Sequence, residues 1–299
     1  MKLALGAFAL VFSSSLHAQS LELDVQQALV YGTPDGSKIS GDLYVPRPSG
    51  KYPAIVAVHG GGWQAGNATF YRYWGPYLAR RGYVVFAIDY RLARGTKMYP
   101  EAVQDVRAAV QFLRHHAAEH RVDPDRIGMM GDSAGAHLSA LAALAGDKPP
   151  FNEGSKGEPY AGASPKVKAV VGIYGVYDMA AQWQHDLRHR PHDNIVQKFL
   201  GAALTENRRV FWEASPLSYA TRDNNQTSFL LSWGTEDDIV DRRSQSDRFL
   251  LALKQAGFFV RPVVVQGSPH FWAVDPIDEP GSYSGFLAPR LVRFLQERL

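Results

Sequence analysis

Hydrophobic and polar positions alternate near the start of this chain and then give way to unbroken apolar runs. Residues 21–31 and 39–45 alternate, and the segment Thr33-Pro34-Asp35-Gly36 between them is a strong turn signal. This pattern predicts an antiparallel hairpin at a sheet edge. Residues 52–58 are continuously apolar, which is typical of a strand that helices cover on both faces.

Strands and helices alternate through the remainder of the chain. After residues 52–58, strands are predicted at 83–88, in the run that ends at Gly131, and at 167–174, 228–233 and 259–265. Helices are predicted at 99–116, in the Ala- and Leu-rich segment ending at Gly146, and at 243–256 and 285–299. Repeated β-α-β units predict an α/β fold with a mostly parallel central sheet, flanked by helices on both faces and preceded by the N-terminal hairpin.

Two segments interrupt this alternation. Residues 147–165 are rich in Gly, Pro, Ser and charge, and they predict a long surface loop. Residues 175–227 contain one predicted helix, 194–204, and are inserted between two core strands. We expect this insertion to form a small partial cap over the carboxyl ends of the strands.

Residues 1–18 have the pattern of a secretory signal peptide. Lys2 precedes an apolar run of ten residues, 3–12, and Leu16-His17-Ala18 is an acceptable cleavage site. Such a run is about half the length that a bilayer-spanning helix needs. We therefore expect export, to the periplasm or the medium, and a single α/β domain over residues 19–299. The alternative is a buried core helix.

Composition excludes several classes of chemistry. The chain of 299 residues has no cysteine, which rules out disulfides, thiolate metal ligands and a cysteine nucleophile. Its net charge of +3 comes from interspersed basic and acidic residues, without a basic arm, so a nucleic-acid partner is not expected. An apolar fraction of 45% is that of an ordinary packed core. The oligomeric state does not follow from these numbers.

The segment Gly131-Asp132-Ser133-Ala134-Gly135 is a G-x-S-x-G pattern between a predicted strand and a predicted helix. A serine at such a turn is forced toward positive φ and stands clear of the sheet, and only small residues fit two positions to either side. Ser133 is therefore the predicted nucleophile. The alternative is a glycine-rich turn whose serine has no chemical role.

A serine nucleophile needs a base and an acid that orients the base, in loops after later strands. Asp237 follows the strand at 228–233 and His270 follows the strand at 259–265, so both should reach the edge where Ser133 lies. We predict His270 as the base and Asp237 as the acid. Glu236 and Asp238 are the alternatives to Asp237.

The turn His59-Gly60-Gly61-Gly62-Trp63 directly follows the strand at 52–58. Glycines at this place let backbone N–H groups approach a substrate oxygen. We predict an oxyanion hole formed by the amides of Gly61, Gly62 and Ala134. The alternative is an ordinary glycine turn.

Together with Asp89-Tyr90-Arg91-Leu92, these motifs resemble the α/β-hydrolase superfamily. The chain is most similar to the esterase branch that contains hormone-sensitive-lipase-like carboxylesterases and bifunctional feruloyl and acetyl-xylan esterases. The resemblance runs from about residue 31 to the C-terminus, is weak in the cap, and implies the same triad and oxyanion residues. Trp63 is a departure, since the hormone-sensitive-lipase group often has Phe or Tyr there.

Other residues have structural interpretations. We expect His137 to be a hydrogen-bonded core histidine and His59 to support the glycine turn. His185, His189 and His192 lack an H-E-x-x-H pattern, so no metal site is predicted. Trp63 and Phe271 flank the chemistry and are the predicted pocket residues, whereas Asp89 and Arg91 are expected to brace strand ends.

The sequence thus predicts an exported serine carboxylesterase that needs no cofactor and acts on short-chain or aromatic esters, of acetyl or feruloyl type, some of them attached to plant polysaccharides. An H-G-G-x-W turn with G-x-S-A-G-x-H-L also resembles kynurenine formamidases, so an aryl formamidase or other amidase is the second hypothesis. A non-catalytic binding module on the same fold is the third. The acyl and alcohol groups are not determined by the sequence.

Overall fold

The computed structural model describes residues 21–154 and 157–299. The predicted signal peptide, residues 1–18, lies outside the described residues. Within them, eight strands form one sheet in the order β1-β2-β4-β3-β5-β6-β7-β8. The strands are β1 (Leu23–Gly32), β2 (Ile39–Pro46), β3 (Tyr52–Val58), β4 (Val84–Ile88), β5 (Val122–Asp132), β6 (Ala169–Ile173), β7 (Ser228–Gly234) and β8 (Val260–Val265).

The sheet is mostly parallel, as the sequence predicts. β1 pairs with β2, and β2 pairs with β4, in antiparallel register. All the remaining neighbours in this order, from β4 with β3 to β7 with β8, are parallel. The hairpin of β1 and β2 therefore forms one edge, which confirms the predicted position. The carboxyl ends of the parallel strands point to one side of the sheet, where ligand sites of such folds lie.

Helices cover both faces of this sheet. They are α1 (Trp74–Ala79), α2 (Glu101–His115), α3 (Ala134–Ala145), α4 (Met179–His189), α5 (Ile195–Leu200), α6 (Arg208–Glu213), α7 (Ser246–Gln255) and α8 (Tyr283–Arg298). On one face of the sheet, Val56 of β3 packs with apolar residues of α2, α3 and α7. On the other face, its neighbour Ile55 packs with apolar residues of α1 and α8. This arrangement explains why β3 is continuously apolar, and it confirms the predicted α/β-hydrolase fold.

The insertion between β6 and β7 is more helical than the sequence predicts. It contains α4 and α6 in addition to α5, which ends at Leu200 because Gly201 adopts a left-handed conformation, with φ of 75°. Asp178 and Asn207 cap α4 and α6 by accepting backbone N–H groups three residues later. These capping residues are the sequence signals that would have identified the two helices.

The insertion packs against the turn that follows β3. The ring of Phe199 in α5 stacks on Trp63 with 4.9 Å between ring centroids, and the Phe199 carbonyl accepts the amide of Met98 at 3.1 Å. Among the described residues, no helix combines the length and hydropathy needed to cross a bilayer.

Candidate active site

Ser133 occupies a sharp turn between β5 and α3. Its φ of 52° and ψ of −119° lie in a region that L-residues seldom adopt. A Cβ atom on Gly135 would stand 1.9 Å from the carbonyl oxygen of Val58, and one on Gly131 would stand 2.3 Å from the backbone of Gly135. The backbones of strand and helix are thus in contact, which is why small residues are required on either side of the serine.

The side chain of His270 lies directly beside this serine. Its Nε2 atom is 3.0 Å from Ser133 Oγ, and its Nδ1 atom is 2.7 Å from Asp237 Oδ2. The side chains of His270 and Asp237 are only 2% and 1% exposed. The structure therefore brings together a hydroxyl, an imidazole and a carboxylate from three separate loops, in hydrogen-bonding contact and shielded from water.

Asp237 is the carboxylate in contact, whereas Glu236 and Asp238 are exposed. Its Oδ1 atom accepts the amides of Ile239 and Val240 at 3.0 and 2.9 Å, which leaves Oδ2 for the imidazole. Because both oxygens are engaged, the orientation of the carboxylate is fixed by its own loop.

Helix α4 of the insertion holds this loop from outside. Nε2 of the buried Gln182 donates to the carbonyl of Ile239 at 2.9 Å and to Asp186 Oδ1 at 3.0 Å, and His185 Nε2 lies 3.0 Å from the carbonyl of Asp238. Sequence reasoning missed these contacts, because they depend on a helix that was not predicted.

The glycine turn after β3 presents backbone amides toward the serine loop. The amide of Gly60 is already used, donating to Asp132 Oδ1 at 3.0 Å. Gly61 and Gly62 have φ of 103° and 59°, and their amides have no acceptor among the described residues. The amide of Ser133 donates to the carbonyl of Ile173 at 2.9 Å, so Ala134 carries the next N–H, at the first position of α3, where no partner exists within the helix.

Asp132 links the serine turn to the glycine turn, and sequence reasoning missed it because it occupies a variable position of the G-x-S-x-G pattern. Oδ1 of this buried carboxylate also accepts the hydroxyl of Tyr71 at 3.1 Å. Burial raises the pKa of Asp132 to about 6, and these hydrogen bonds and His270 oppose the rise. An acidic residue next to the serine, at the end of an apolar strand, is the signal that would have identified it.

Two other histidines near the turns are buried and neutral. His59 stacks on Tyr90, 4.4 Å between centroids, and its Nδ1 atom lies 2.7 Å from the carbonyl of Gly60. His137 accepts the indole N–H of Trp63 at Nδ1 (3.1 Å), so its Nε2 carries the proton that the carbonyl of Ala214 accepts (2.8 Å). Burial lowers the pKa of each to about 4. Both therefore have the supporting geometry that the sequence predicts for them.

The two predicted pocket residues lie in different environments. Phe271 is 52% exposed and meets the His270 ring edge-on, 4.6 Å between centroids. Trp63 is 1% exposed, because its φ of 61° turns the indole inward against His137 and Phe199. Trp63 thus supports the glycine turn from beneath and presents no open face. The ring of Tyr174, missed by sequence reasoning, lies 4.4 Å from that of His270.

The remaining candidates form local contacts. Arg91 makes a bidentate ion pair with Asp105, at 2.7 Å for the shortest contact, and Asp89 Oδ1 accepts the amide of Ala68 at 2.7 Å. His185 and His189 stack 4.1 Å apart. Within residues 21–154 and 157–299, no group of three or more His, Asp or Glu side chains is arranged to hold a metal ion.

Three comparisons relate this chain to known proteins. The model of the BD-FAE family matches residues 42–253, well over half of the chain. Two curated Mycobacterium tuberculosis proteins are similar: Esterase LipC is 31% identical over 84% of this chain and 59% of its own length, and Esterase LipQ is 31% identical over 70% and 48%. A probable isoprenylcysteine alpha-carbonyl methylesterase of Arabidopsis thaliana is 27% identical over 82% and 51%. The chain spans about half the length of these curated relatives.

Among solved structures, the butyrate-bound esterase Est2 of the planctomycete Thermogutta terrifontis superposes with a TM-score of 0.73 at 25% identity, over 93% of this chain and 94% of that one. A truncated carbohydrate esterase from gut microbiota superposes with a TM-score of 0.69 at 22% identity, over 94% and 97%, which shows a shared fold.

Proposed function

The chain belongs to the BD-FAE family, of the α/β-hydrolase carboxylesterase type that its motifs resemble, and from this premise we propose that it is a serine carboxylic-ester hydrolase. The observation that carries the proposal is the hydrogen-bonded series Ser133–His270–Asp237, with distances of 3.0 and 2.7 Å, beside amides that have no acceptor in the described part of the chain. A hydroxyl, a base, an orienting carboxylate and free N–H donors are the parts that acyl transfer needs.

In the first half-reaction, Nε2 of His270 takes the proton of Ser133 as Oγ attacks the ester carbonyl carbon. Asp237 accepts the Nδ1 hydrogen bond and stabilises the imidazolium that forms. The amides of Gly61, Gly62 and Ala134 donate to the oxyanion, and one such donor is worth about 3 to 4 kcal/mol of the barrier. The imidazolium then protonates the leaving alcohol, and an acyl-enzyme remains on Ser133.

In the second half-reaction, the same imidazole takes a proton from water, and the resulting hydroxide attacks the acyl carbon. The oxyanion forms again in the same place. When it collapses, Ser133 leaves with the proton from His270 and the free acid is released. Every proton in the cycle passes through His270, so no cofactor enters the balance.

The substrates proposed for this site are short-chain or aromatic esters, including acetyl and feruloyl esters on plant polysaccharides. The butyrate in the related Est2 structure supports a short acyl group, and the exposed Phe271 ring beside His270 supports contact with an aromatic acyl or alcohol group. A series of p-nitrophenyl esters of graded acyl length, with methyl ferulate and acetylated xylan, measures this preference. Comparison of an aryl formamide with an aryl acetate tests the amidase alternative.

Export remains part of the proposal. The pattern of residues 1–18 supports it, and it predicts a mature chain that begins near residue 19. N-terminal sequencing of the protein from culture fractions measures this directly, and an uncleaved chain in the cytosol contradicts export.

The decisive variant for the function is Ser133→Ala. We expect it to abolish hydrolysis of p-nitrophenyl acetate while the far-UV circular dichroism spectrum and Tm stay near those of the wild type, because the change removes only the nucleophile. Retained turnover at the wild-type rate contradicts the proposed mechanism.

A further inference from the structure

A cavity of about 380 Å³ lies outside the catalytic series, between α4, α6 and the first turn of α7. Trp212 of α6 lines it, and this indole is 67% exposed. Trp212 is the most exposed large apolar side chain among the described residues, and an open aromatic ring that lines a cavity provides a flat face on which a ligand can stack.

The charges on α6 are not equivalent. Arg209 forms an ion pair with Glu213 at 2.6 Å. Arg208, which lines the cavity, has no carboxylate partner among the described residues. Since Arg208 and Trp212 are four positions apart on one helix, they occupy the same face, and a positive charge stands beside the open ring.

The other polar groups of the cavity suit a ligand rich in hydroxyl groups. Arg248 contacts Asp178 at 2.7 Å, and the side chains of Gln184 and Ser218 also line the wall. These groups together offer several donors and acceptors. Leu204, Phe211 and Leu217 line the rest of the cavity. An aromatic acid could stack on Trp212 and pair with Arg208, but it has no hydroxyl groups for the polar residues of the wall, which would lose hydrogen bonds with water.

We propose that this cavity binds an acidic sugar, a uronic acid residue of a polysaccharide. The sugar ring stacks on Trp212, its carboxylate pairs with Arg208, and its hydroxyl groups bond to the polar wall. The volume accommodates a sugar unit together with part of its neighbour in a chain.

A hydrogen bond joins the end of α6 to α3, the helix that follows the catalytic serine. The carbonyl of Ala214, directly after α6, lies 2.8 Å from Nε2 of His137, which is four residues beyond Ser133 and hence about 6 Å along the helix axis. The cavity would hold the sugar portion of an ester substrate, a role that rests on the proposed function. Sugar binding itself does not depend on that function.

The test is affinity electrophoresis at physiological salt in gels that contain either de-esterified polygalacturonate or hydroxyethyl cellulose. Neither polymer contains an ester bond, so the result is independent of esterase activity. We expect polygalacturonate to retard the wild type. Trp212→Ala and Arg208→Ala should weaken this binding by at least about tenfold, since the few aromatic and arginine side chains that a bound ligand covers carry most of its affinity.

Arg209→Ala is the matched control, because it removes the same charge from the same helix but outside the cavity. Equal loss in Arg208→Ala and Arg209→Ala, or unchanged retardation of Trp212→Ala, overturns the site. Equal or stronger retardation by hydroxyethyl cellulose overturns the preference for an acidic sugar. The rate on p-nitrophenyl acetate should remain within about twofold of wild type in all three variants; if the wild type itself has no such activity, the proposed function fails and the binding result still stands.

Discussion

Nε2 of His270 lies 3.0 Å from Oγ of Ser133, although the two residues are 137 positions apart in the sequence. The contact exists because β5 and β8 are parallel strands of one sheet, so the loops at their carboxyl ends share an edge. The fold thus creates the proton-transfer pair.

Asp237→Asn should reduce kcat on p-nitrophenyl acetate by about 10⁴-fold with little change in KM. The amide keeps the shape of the carboxylate but favours the wrong imidazole tautomer and cannot stabilise the imidazolium. Asp238→Asn is the matched control on the next residue, which is exposed. Comparable losses in the two variants would mean that the acid has been misassigned.

Asp132→Ala should lower kcat by about ten- to a hundredfold and leave KM nearly unchanged, because it frees the Gly60 amide and allows the oxyanion turn to move. Asp132→Asn retains an oxygen that can accept the same hydrogen bonds, and it should recover most of the activity. The split between kcat and KM in steady-state kinetics distinguishes this positioning role. If the alanine variant has wild-type kcat, Asp132 does not hold the turn.

Gly135→Ala should destabilise the fold by more than about 3 kcal/mol, since the added methyl group would meet the backbone oxygen of Val58 at 1.9 Å and neither backbone can move freely. Gly162→Ala adds the same atom in open space and should change the free energy of unfolding little. Urea denaturation of both variants measures the difference. Equal midpoints would argue against direct packing of strand on helix.

Gln182→Leu should lower kcat about tenfold, because the acid loop loses the donor to the carbonyl of Ile239. Gln184→Leu, two positions along the same helix and exposed, is the control for helix propensity and added hydrophobicity. Kinetics on p-nitrophenyl acetate should separate the two variants, and equal rates would show that α4 does not position Asp237.

The contribution of His59 and His137 to the stability of the protein should fall as the pH is lowered from about 6.5 to 4. His59 and His137 have pKa values of about 4 in the fold and near 6.5 when unfolded, so the unfolded chain binds up to two more protons in this window. Asp132 and other buried carboxyl groups oppose this, since burial raises their pKa values in the fold, that of Asp132 to about 6. His137→Gln should reduce the slope of unfolding free energy against pH by the amount that corresponds to one bound proton. An equal slope in the variant and the wild type would contradict burial of a neutral His137.

The sequence predicted the core of this molecule because its signals are local. Strand β3 is apolar at every position since helices cover both of its faces, and glycines around Ser133 mark a backbone contact that admits no other residue. Placing Asp237 and His270 required only strand order and the rule that parallel strands end at one edge.

The parts that the sequence did not predict depend on distant packing. Helix α6 has six residues, too few for an apolar period to emerge. The inward turn of Trp63 follows from a positive φ and from His137, 74 positions away, which accepts its indole N–H. The role of Asp132 likewise depends on the Gly60 amide, 72 positions away.

The most direct test of the central claim is intact-mass spectrometry after reaction with a fluorophosphonate probe. We predict one covalent adduct per chain, mapped by peptide sequencing to Ser133, and none in Ser133→Ala. An unmodified wild-type chain, or an adduct on a different residue, would contradict the assignment of Ser133 as the activated nucleophile.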